Sequence, residues 1–313
     1  VHMEIIKTVP ENVSKTRLDK VCSEIFDDFS RSQLKKWILE GRILLNNEIA
    51  LPKDLVSKND EISLNPVSEE KISWRAEDIS FDVIFENKDY LIINKPFNLV
   101  MHPGAGCNQG TLANGLLFFY PELKTIPRAG IVHRLDKDTS GILLVAKTER
   151  FRNYFVQLLQ ERKVKKLYKA VVVGKTVGSF EISEPIGRDR NNRTKMSIRS
   201  DGKEALTFVK LNESLNNYSL LDVRIETGRT HQIRVHLGNK KLPIIGDKTY
   251  NPSNNIAKET PKELIETIRT FPRQALHSYQ LSFMDMDTDE MMSFVAPLPD
   301  DIKKLIETLK KHT

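Results

Sequence analysis

The chain has 313 residues, enough for two domains, and its 39% hydrophobic fraction is typical of a globular protein. Its 48 lysines and arginines against 42 aspartates and glutamates give a net charge of +6, which suits a polyanionic partner and an ordinary basic surface equally. The two cysteines form no CxxC pair and no apolar run reaches roughly 20 residues, which argues against a disulfide framework, a zinc site or a membrane span and favours a cytoplasmic protein.

The segment from 14 to 66 has the pattern of a small self-contained domain. A first helix is predicted for LDKVCSEIF, whose apolar residues fall on one helical face. A second is predicted for SRSQLKKWILEG, which begins with the capping-box pair Ser30 and Gln33 and stops at Gly41. Three short strands follow, two of them joined by a turn at Asn46 and Asn47.

Basic side chains lie on or just after the second of these helices, outside its buried stripe. They are Arg31, Lys35, Lys36 and Arg42. By themselves they can be a solvated helix face. Two short helices with a basic surface and a small sheet, however, resemble the S4 RNA-binding domain, matched here by SRSQLKKWILEGRILLNN. This resemblance implies that the four cations bind RNA.

Residues 67–80 are polar and without periodicity, which predicts a linker. From 81 to 313 short β-rich runs dominate, including GIVHR and ILLVAK on either side of one loop, with helices such as RFRNYFVQLLQE and DDIKKLIETLKK between other strands. Strands and helices do not alternate strictly. We therefore expect an α+β domain with a mixed, mainly antiparallel sheet.

The loop LDKDTSG, between two predicted strands, holds two aspartates where a side chain can be aimed accurately. Asp138, directly before Thr139, Ser140 and Gly141, is the natural Asx-turn former, which leaves Asp136 as the free carboxylate. A second turn-former or a surface ion pair is the alternative role for Asp136. We expect His133 to close the loop by hydrogen bonding.

Two other segments supply residue types that could act with Asp136. TGRTHQIRVHLG contains Arg229 and Arg234, and KKLYKA contains Tyr168. A carboxylate, an arginine that can pair with it and a tyrosine make a site that can form a covalent adduct with a sugar or base without a cofactor. The chain has no glycine-rich nucleotide loop and no third ligand to join its spaced histidines, so we expect neither cofactor nor metal.

The motifs HRLDKDTSGILLVAK, KKLYKA and TGRTHQIRVHL, in this order, resemble those of the RluA-type pseudouridine synthases. The similarity extends through NKPFNLVMHPGAG, GRDRNNRTKMSI and RQALHSYQLSF and covers nearly the whole chain. It implies a pseudouridine synthase fold and the isomerisation of uridine to pseudouridine in 23S ribosomal RNA, in the hairpin that faces the small subunit. The implied partner is 23S ribosomal RNA or the large-subunit precursor, and the implied enzyme is a monomer without a cofactor.

The resemblance also assigns roles to single residues. Asp136 corresponds to the catalytic aspartate, Arg229 to the arginine that pairs with it and Tyr168 to the tyrosine that stacks on uracil. Ile233 corresponds to an apolar wall of the pocket, and Arg134 to the arginine that enters the space left by the flipped base. Phosphate contacts are expected from Arg188, Arg190, Arg193 and Lys195.

Two other functions fit the residues without the resemblance. The first is a glycosidase that uses Asp136 and Asp138 as a carboxylate pair. The second is an RNA-binding protein without catalysis, in which the small domain binds and the large domain is a scaffold. A carboxylate facing RNA would only repel phosphate in such a protein, which argues against the second.

Overall fold

The computed structural model describes residues 4–26, 29, 31–65, 74–104, 106–192 and 194–311. The chain divides into two compact units, Val1–Ser73 and Trp74–Thr313. No helix in these described ranges is long and apolar enough to cross a membrane.

The smaller unit is built from short elements. They are β1 (Ile5–Thr8), β2 (Thr16–Arg17), α1 (Leu18–Ile25), α2 (Arg31–Leu39), β3 (Ile43–Leu45), β4 (Glu48–Ile49), β5 (Leu55–Val56) and β6 (Glu61–Leu64). The predicted helices and strands are therefore present. The strand β1 precedes the predicted start at residue 14 and pairs antiparallel with β6, so this unit begins earlier in the chain.

One apolar core joins the two helices to the sheet of the smaller unit, whose strand order is β1-β6-β3-β4. Leu34 and Ile38 of α2 are fully buried, as their helical spacing requires. The helix is followed by Gly41 at φ +67°, the left-handed conformation that favours glycine after a helix. Ser30 of the predicted capping box lies outside the described residues.

The larger unit contains the remaining elements. The strands are β7 (Asp82–Glu86), β8 (Tyr90–Lys95), β9 (Ser140–Ala146), β10 (Lys165–Val173), β11 (Ser179–Ser183), β12 (Ile186–Arg188), β13 (Met196–Ile198), β14 (Leu206–Leu215), β15 (Tyr218–Ile225), β16 (Leu276–Met284) and β17 (Met291–Val295). The helices are α3 (Leu112–Phe119), α4 (Glu149–Gln160), α5 (Gln232–Asn239), α6 (Lys262–Arg269) and α7 (Asp300–Lys310).

A nine-stranded sheet forms the centre of this unit, in the order β11-β14-β15-β10-β16-β9-β8-β7 with β17 paired to β16. Its neighbouring strands are antiparallel except β9 and β16, which are parallel. The predicted mixed, mainly antiparallel sheet is thus confirmed. The strands β12 and β13 form a separate two-stranded ribbon.

Both faces of the sheet are covered at β8 and β9, which explains why these strands are almost continuously apolar. Side chains alternate between the faces of a strand. Accordingly Leu143 and Val145 join one core, while Ile142 and Leu144 join a second core that includes Phe155 of α4. The two apolar layers fix β9 from both sides and thereby hold the loop that leads into it.

The segment GIVHR is not a strand, contrary to prediction. A 3₁₀ turn at Pro127–Gly130 contains Arg128 and Ala129 in left-handed conformations, and the residues after it contribute only a single bridge, between Ile131 and Val145. This tight turn leaves no extended run that could pair along its length.

The predicted linker, 67–80, belongs only partly to the described chain, which resumes at Trp74. Trp74 and Ile79 pack against the core of the larger unit, and the side chain of Asn114 donates a hydrogen bond of 2.7 Å to the carbonyl oxygen of Arg75. Residues 74–80 are therefore anchored to the larger unit.

Candidate active site

The loop that carries Asp136 leads directly into β9 and is held through its backbone. The amide of Thr139 donates to the carbonyl of Asp136 at 3.1 Å and closes a tight turn. Just beyond it, Gly141 has φ +118°, and a Cβ there would lie 2.1 Å from the carbonyl oxygen of Ser278. Only glycine allows β9 to approach β16 this closely, so the loop is anchored at its exit.

Two buried cations bind the carbonyl oxygens of this loop region. The Nζ of Lys95, at 0% exposure, donates to the carbonyls of Pro96 at 2.8 Å and of Leu99 and Lys137 at 3.0 Å. Arg273 donates through Nη1 to the carbonyl of Asp138 at 3.3 Å. Burial lowers the pKa of Lys95 to about 7, and the charge of Asp138 partly offsets this effect.

His133 closes the other end of the loop, as predicted. Its Nε2 accepts a hydrogen bond of 2.9 Å from the amide of Leu144. Burial lowers the pKa of His133 to about 3, so the ring is neutral and its proton is on Nδ1. Among the described residues the Asp138 carboxylate makes no hydrogen bond, so the expected Asx turn is absent; the turn is a backbone one.

The arginine that pairs with Asp136 is Arg234, not Arg229 as predicted. Arg234 donates from Nη1 to Oδ2 of Asp136 at 2.9 Å. Arg229 instead donates from Nε to the carbonyl of Glu204 at 2.8 Å, and its amide is bound by the side chain of Gln232 at 3.1 Å. The reason is local: Arg229 belongs to the turn before α5, whereas Arg234 lies within the buried helix.

Arg234 is itself fixed by a second carboxylate. Its Nε and Nη2 donate to the two oxygens of Asp247 at 2.7 and 2.8 Å, a bidentate pair that is almost fully buried. Although burial alone would raise it, the pKa of the Asp247 carboxyl is lowered by Arg234 and by the amides of Thr249 and Tyr250. Asp247 therefore stays charged and orients the guanidinium toward Asp136.

A histidine lies on the other side of Asp136. His231 directly precedes α5 in a left-handed conformation, and its Nε2 is 4.0 Å from Oδ2 of Asp136. The hydroxyl of Tyr250 is 2.8 Å from Nδ1 of His231 and accepts from the amide of Met196 at 2.9 Å. Burial lowers the pKa of His231, although Asp136 opposes the shift, so Tyr250 donates to Nδ1 and the neutral ring directs Nε2–H to the carboxylate.

Tyr168 lies on β10 with 6% exposure. The register of β10 against β16 shifts between Leu167 and Tyr168, because Tyr279 of β16 is an extra residue there, whereas β10 pairs with β15 without interruption. Burial raises the pKa of Tyr168 to about 12, with the charge of Asp136 acting in the same direction, so the phenol remains protonated at neutral pH.

One cleft of about 720 Å³, which opens between β10, α4 and α5, is lined by Asp136, Tyr168, His231 and Arg234. Five predicted site residues line it: Arg134, Asp136, Tyr168, Arg229 and Ile233. A smaller adjoining cavity of about 340 Å³ is also lined by Arg134 and Asp136. Asp136, with a side chain 17% exposed, is accessible from the cleft.

Comparisons with known proteins match both units of the chain. Residues 89–239 match the family model described as RNA pseudouridylate synthase, and residues 16–62 match that of the S4 domain. The ribosomal large subunit pseudouridine synthase D of Vibrio parahaemolyticus is 41% identical over 310 residues, covering 99% of this chain and 95% of the relative. The chain belongs to the RNA pseudouridylate synthase family.

A second relative and one solved structure extend the comparison. The synthase of the same name from Escherichia coli is 40% identical over 309 residues, 98% of this chain and 95% of the relative. The solved structure of human RNA pseudouridylate synthase domain containing 4 has the same fold, with a TM-score of 0.56 and 24% identity over 73% of this chain and 93% of that one. Membership of this family excludes the non-catalytic function, and the family's reaction is an isomerisation.

The cations expected to bind RNA are mainly exposed. In the S4 domain Arg31 is 3.3 Å from Asp19, Lys36 and Arg42 pair with Glu40 at 3.6 and 3.3 Å, and Lys35 is exposed. The two pairs with Glu40 are exposed and therefore weak, whereas Asp19, the partner of Arg31, is buried.

In the catalytic domain of the synthase the remaining predicted cations lie on the β12–β13 ribbon. Arg188 ends β12, Lys195 precedes β13, and Arg190 is 76% exposed and 3.6 Å from Asp201. Arg193 lies outside the described residues. The ribbon packs against α5 through Ile186.

Sequence reasoning missed four residues that support the site, which are the buried Lys95, Asp247 and Arg273 and the partly buried Tyr250. The family-like stretches NKPFNLV and RQALHSY contain Lys95 and Arg273, yet spacing alone assigns them no role. A usable signal was present in IRVHL: a charge within a helix of apolar residues predicts a buried arginine, which needs a carboxylate partner.

Proposed function

We propose that this enzyme isomerises uridine to pseudouridine in 23S ribosomal RNA, acting on the hairpin of the large subunit that faces the small subunit. The names of the relatives from Vibrio and Escherichia, which match nearly the whole chain, support the large-subunit substrate. The observation that carries the chemistry is the Asp136 carboxylate, which is open to the cleft and bound at 2.9 Å by a buried arginine.

The reaction breaks the C1′–N1 bond of uridine, turns the detached uracil and joins its C5 to C1′, with loss of the C5 proton. Asp136 is the proposed catalytic carboxylate, placed where the glycosidic bond breaks. Arg234 holds it with a charge that does not titrate. Nothing in this isomerisation requires electron transfer or an activated water, so it needs neither metal nor cofactor.

The walls of the cleft would retain the free base. Tyr168 is neutral and packs its ring against uracil, and Ile233, at 4% exposure, forms an apolar wall. A phenol whose pKa is about 12 is a weak base, so its proposed role is stacking rather than proton removal.

A uridine within a hairpin must leave its stack to enter the cleft, at a cost of a few kcal/mol. Arg134 is exposed and adjoins the buried Leu135, so its guanidinium projects from an anchored loop. We propose that it fills the space of the flipped base by stacking. The cations of the S4 domain and of the β12–β13 ribbon would position the RNA through its phosphates, and the enzyme would act as a monomer.

The decisive experiment measures release of tritium from large-subunit ribosomal RNA labelled at C5 of uridine. Wild type should release tritium, Asp136→Asn should release none while binding RNA with similar affinity, and Asp138→Asn, in the same loop, should keep most of its activity. Comparable turnover by Asp136→Asn would overturn the role of this carboxylate. The pseudouridines formed are then mapped. If tritium is released but no pseudouridine lies in the hairpin that faces the small subunit, the proposed hairpin substrate is wrong.

A further inference from the structure

Lys166 is a buried cation of the cleft that lacks the hydrogen-bond acceptors or carboxylates that the other buried cations have. It is 8% exposed, lines the cleft, and its ammonium group makes no hydrogen bond or ion pair with any residue in the described part of the chain. Lys95, Arg234 and Arg273, which are at least as buried, are each bound to carbonyls or carboxylates. Buried charges are normally paired, so the position of Lys166 calls for an anion from outside the protein.

The environment of Lys166 gives no alternative partner. Its paired neighbour on β15 is Ile225, an apolar residue that lines the same cleft. Burial alone lowers the pKa of Lys166 to about 8, which still leaves most of the population charged at neutral pH. The carboxylate of Glu226, which also lines the cleft, is 3.2 Å from Arg224 and so is already engaged.

The strand geometry relates Lys166 to the catalytic residues. Lys166 and Tyr168 are two residues apart on β10 and therefore project from the same face, about 7 Å apart along the strand. Tyr168 and Lys166 both line the cleft that Asp136 faces. Lys166 also adjoins Gly228, where a Cβ would lie 3.7 Å from Nζ, so the space beside the ammonium is free of a side chain.

A flipped nucleotide fits the cleft with its base at Tyr168 and its phosphate toward Lys166. With uracil against Tyr168 and C1′ at Asp136, the next group along the nucleotide is its backbone phosphate, at a separation comparable to one pleat of the strand. A phosphate supplies the full negative charge that a buried ammonium requires, whereas a uracil carbonyl supplies only a dipole.

We infer that Lys166 binds a backbone phosphate of the flipped nucleotide and thereby sets how deeply the base enters the cleft. This inference rests on the proposed function, because it takes RNA as the ligand. It differs from the general role of the exposed cations in that a single buried ammonium contacts a single phosphate at the reacting nucleotide.

The test compares Lys166→Met, Lys166→Arg and Lys165→Met. Lys165 is the exposed neighbour on the opposite face of β10, so its substitution is the matched control. Tritium release from C5-labelled large-subunit ribosomal RNA is measured as kcat and KM at several potassium chloride concentrations. Filter binding of the same RNA is measured over the same salt range, and thermal unfolding verifies that each variant is folded.

We expect kcat/KM of Lys166→Met to fall about 10- to 100-fold, the range for loss of one charge-assisted hydrogen bond. The slope of log affinity against log salt should become shallower by about 0.7 to 0.9, the value for one phosphate. Lys166→Arg should recover most of both quantities, and Lys165→Met should remain within about threefold of wild type in kcat/KM.

Two results would overturn the inference. Lost activity with an unchanged salt slope would show that Lys166 serves the neutral base or the fold, and wild-type behaviour of Lys166→Met would show that the ammonium has no ligand. If wild type itself releases no tritium, the proposed function fails instead, and the salt slopes from filter binding still decide whether Lys166 contacts a phosphate.

Discussion

Asp247 offers the sharpest perturbation of the site, because it holds Arg234 without being adjacent to Asp136. It is 1% exposed and accepts two hydrogen bonds from Arg234, at 2.7 and 2.8 Å, and two from backbone amides. In Asp247→Asn an amide donor would face the guanidinium and the charge of Arg234 would lose its main buried partner. Breaking a buried pair in this way costs about 3 to 5 kcal/mol of unfolding free energy.

The same change should reduce catalysis. A guanidinium released from Asp247 can shift by about 1 Å, and a shift of this size costs on the order of 10²-fold in rate. We therefore expect Asp247→Asn to lower kcat for tritium release about 100-fold with little effect on KM. The double variant Arg234→Met with Asp247→Leu replaces the pair by apolar side chains and should recover stability but not activity.

The pH dependence gives an independent measurement. The pKa of Asp247 is lowered in the folded state, so its contribution to stability is present above its unfolded value of about 4 and is lost as the pH falls through the folded value. Urea unfolding between pH 7 and pH 3 should show this acid loss in wild type and a smaller one in Asp247→Asn. A variant that matches wild type in unfolding free energy, acid sensitivity and kcat would refute the orienting role of Asp247.

Two further predictions use the same assays. Tyr168→Phe keeps the stacking ring and removes the hydroxyl, so kcat should fall less than about tenfold if stacking is the role of Tyr168. A loss of about 1,000-fold in single-turnover tritium release would instead indicate proton transfer by the hydroxyl. In the S4 domain, Lys35→Ala combined with Lys36→Ala should make the slope of log RNA affinity against log salt shallower by up to about 1.5, and should lower site selectivity more than kcat. The exposed control pair, Lys20→Ala with Lys53→Ala, should change neither. Equal slopes for the two double variants would exclude this S4 surface from RNA binding.

Much of the fold follows from periodicity in the sequence. The apolar run of β9 shows no alternation of apolar and polar residues, because Leu143 and Leu144 enter different cores on the two faces of the sheet. A strand covered on one face only, such as β15 at Asp222 and Arg224, keeps the alternating pattern. The segment GIVHR was predicted wrongly because local residue types do not reveal the left-handed pair Arg128 and Ala129.

The sequence predicted that Asp136 is the carboxylate of the site, but it did not predict which arginine pairs with it. Arg229 and Arg234 occupy one short motif, and distinguishing them requires knowledge of which residue the helix buries. The buried residue depends on where α5 begins. The helix begins directly after His231, whose left-handed conformation no spacing rule predicts. Asp247 is equally invisible, since a buried acid in a loop has no sequence signature until its arginine is known.

The buried cations around Asp136 separate two tasks that one cation could not perform well. Lys95 and Arg273 donate to carbonyl oxygens and so fix the backbone of the loop, whereas Arg234 donates to the carboxylate and so fixes its charge. With the tasks divided, Asp247 can neutralise most of the charge of Arg234 while the loop stays anchored, and the carboxylate of Asp136 keeps one oxygen free of arginine, as its proposed catalytic role requires.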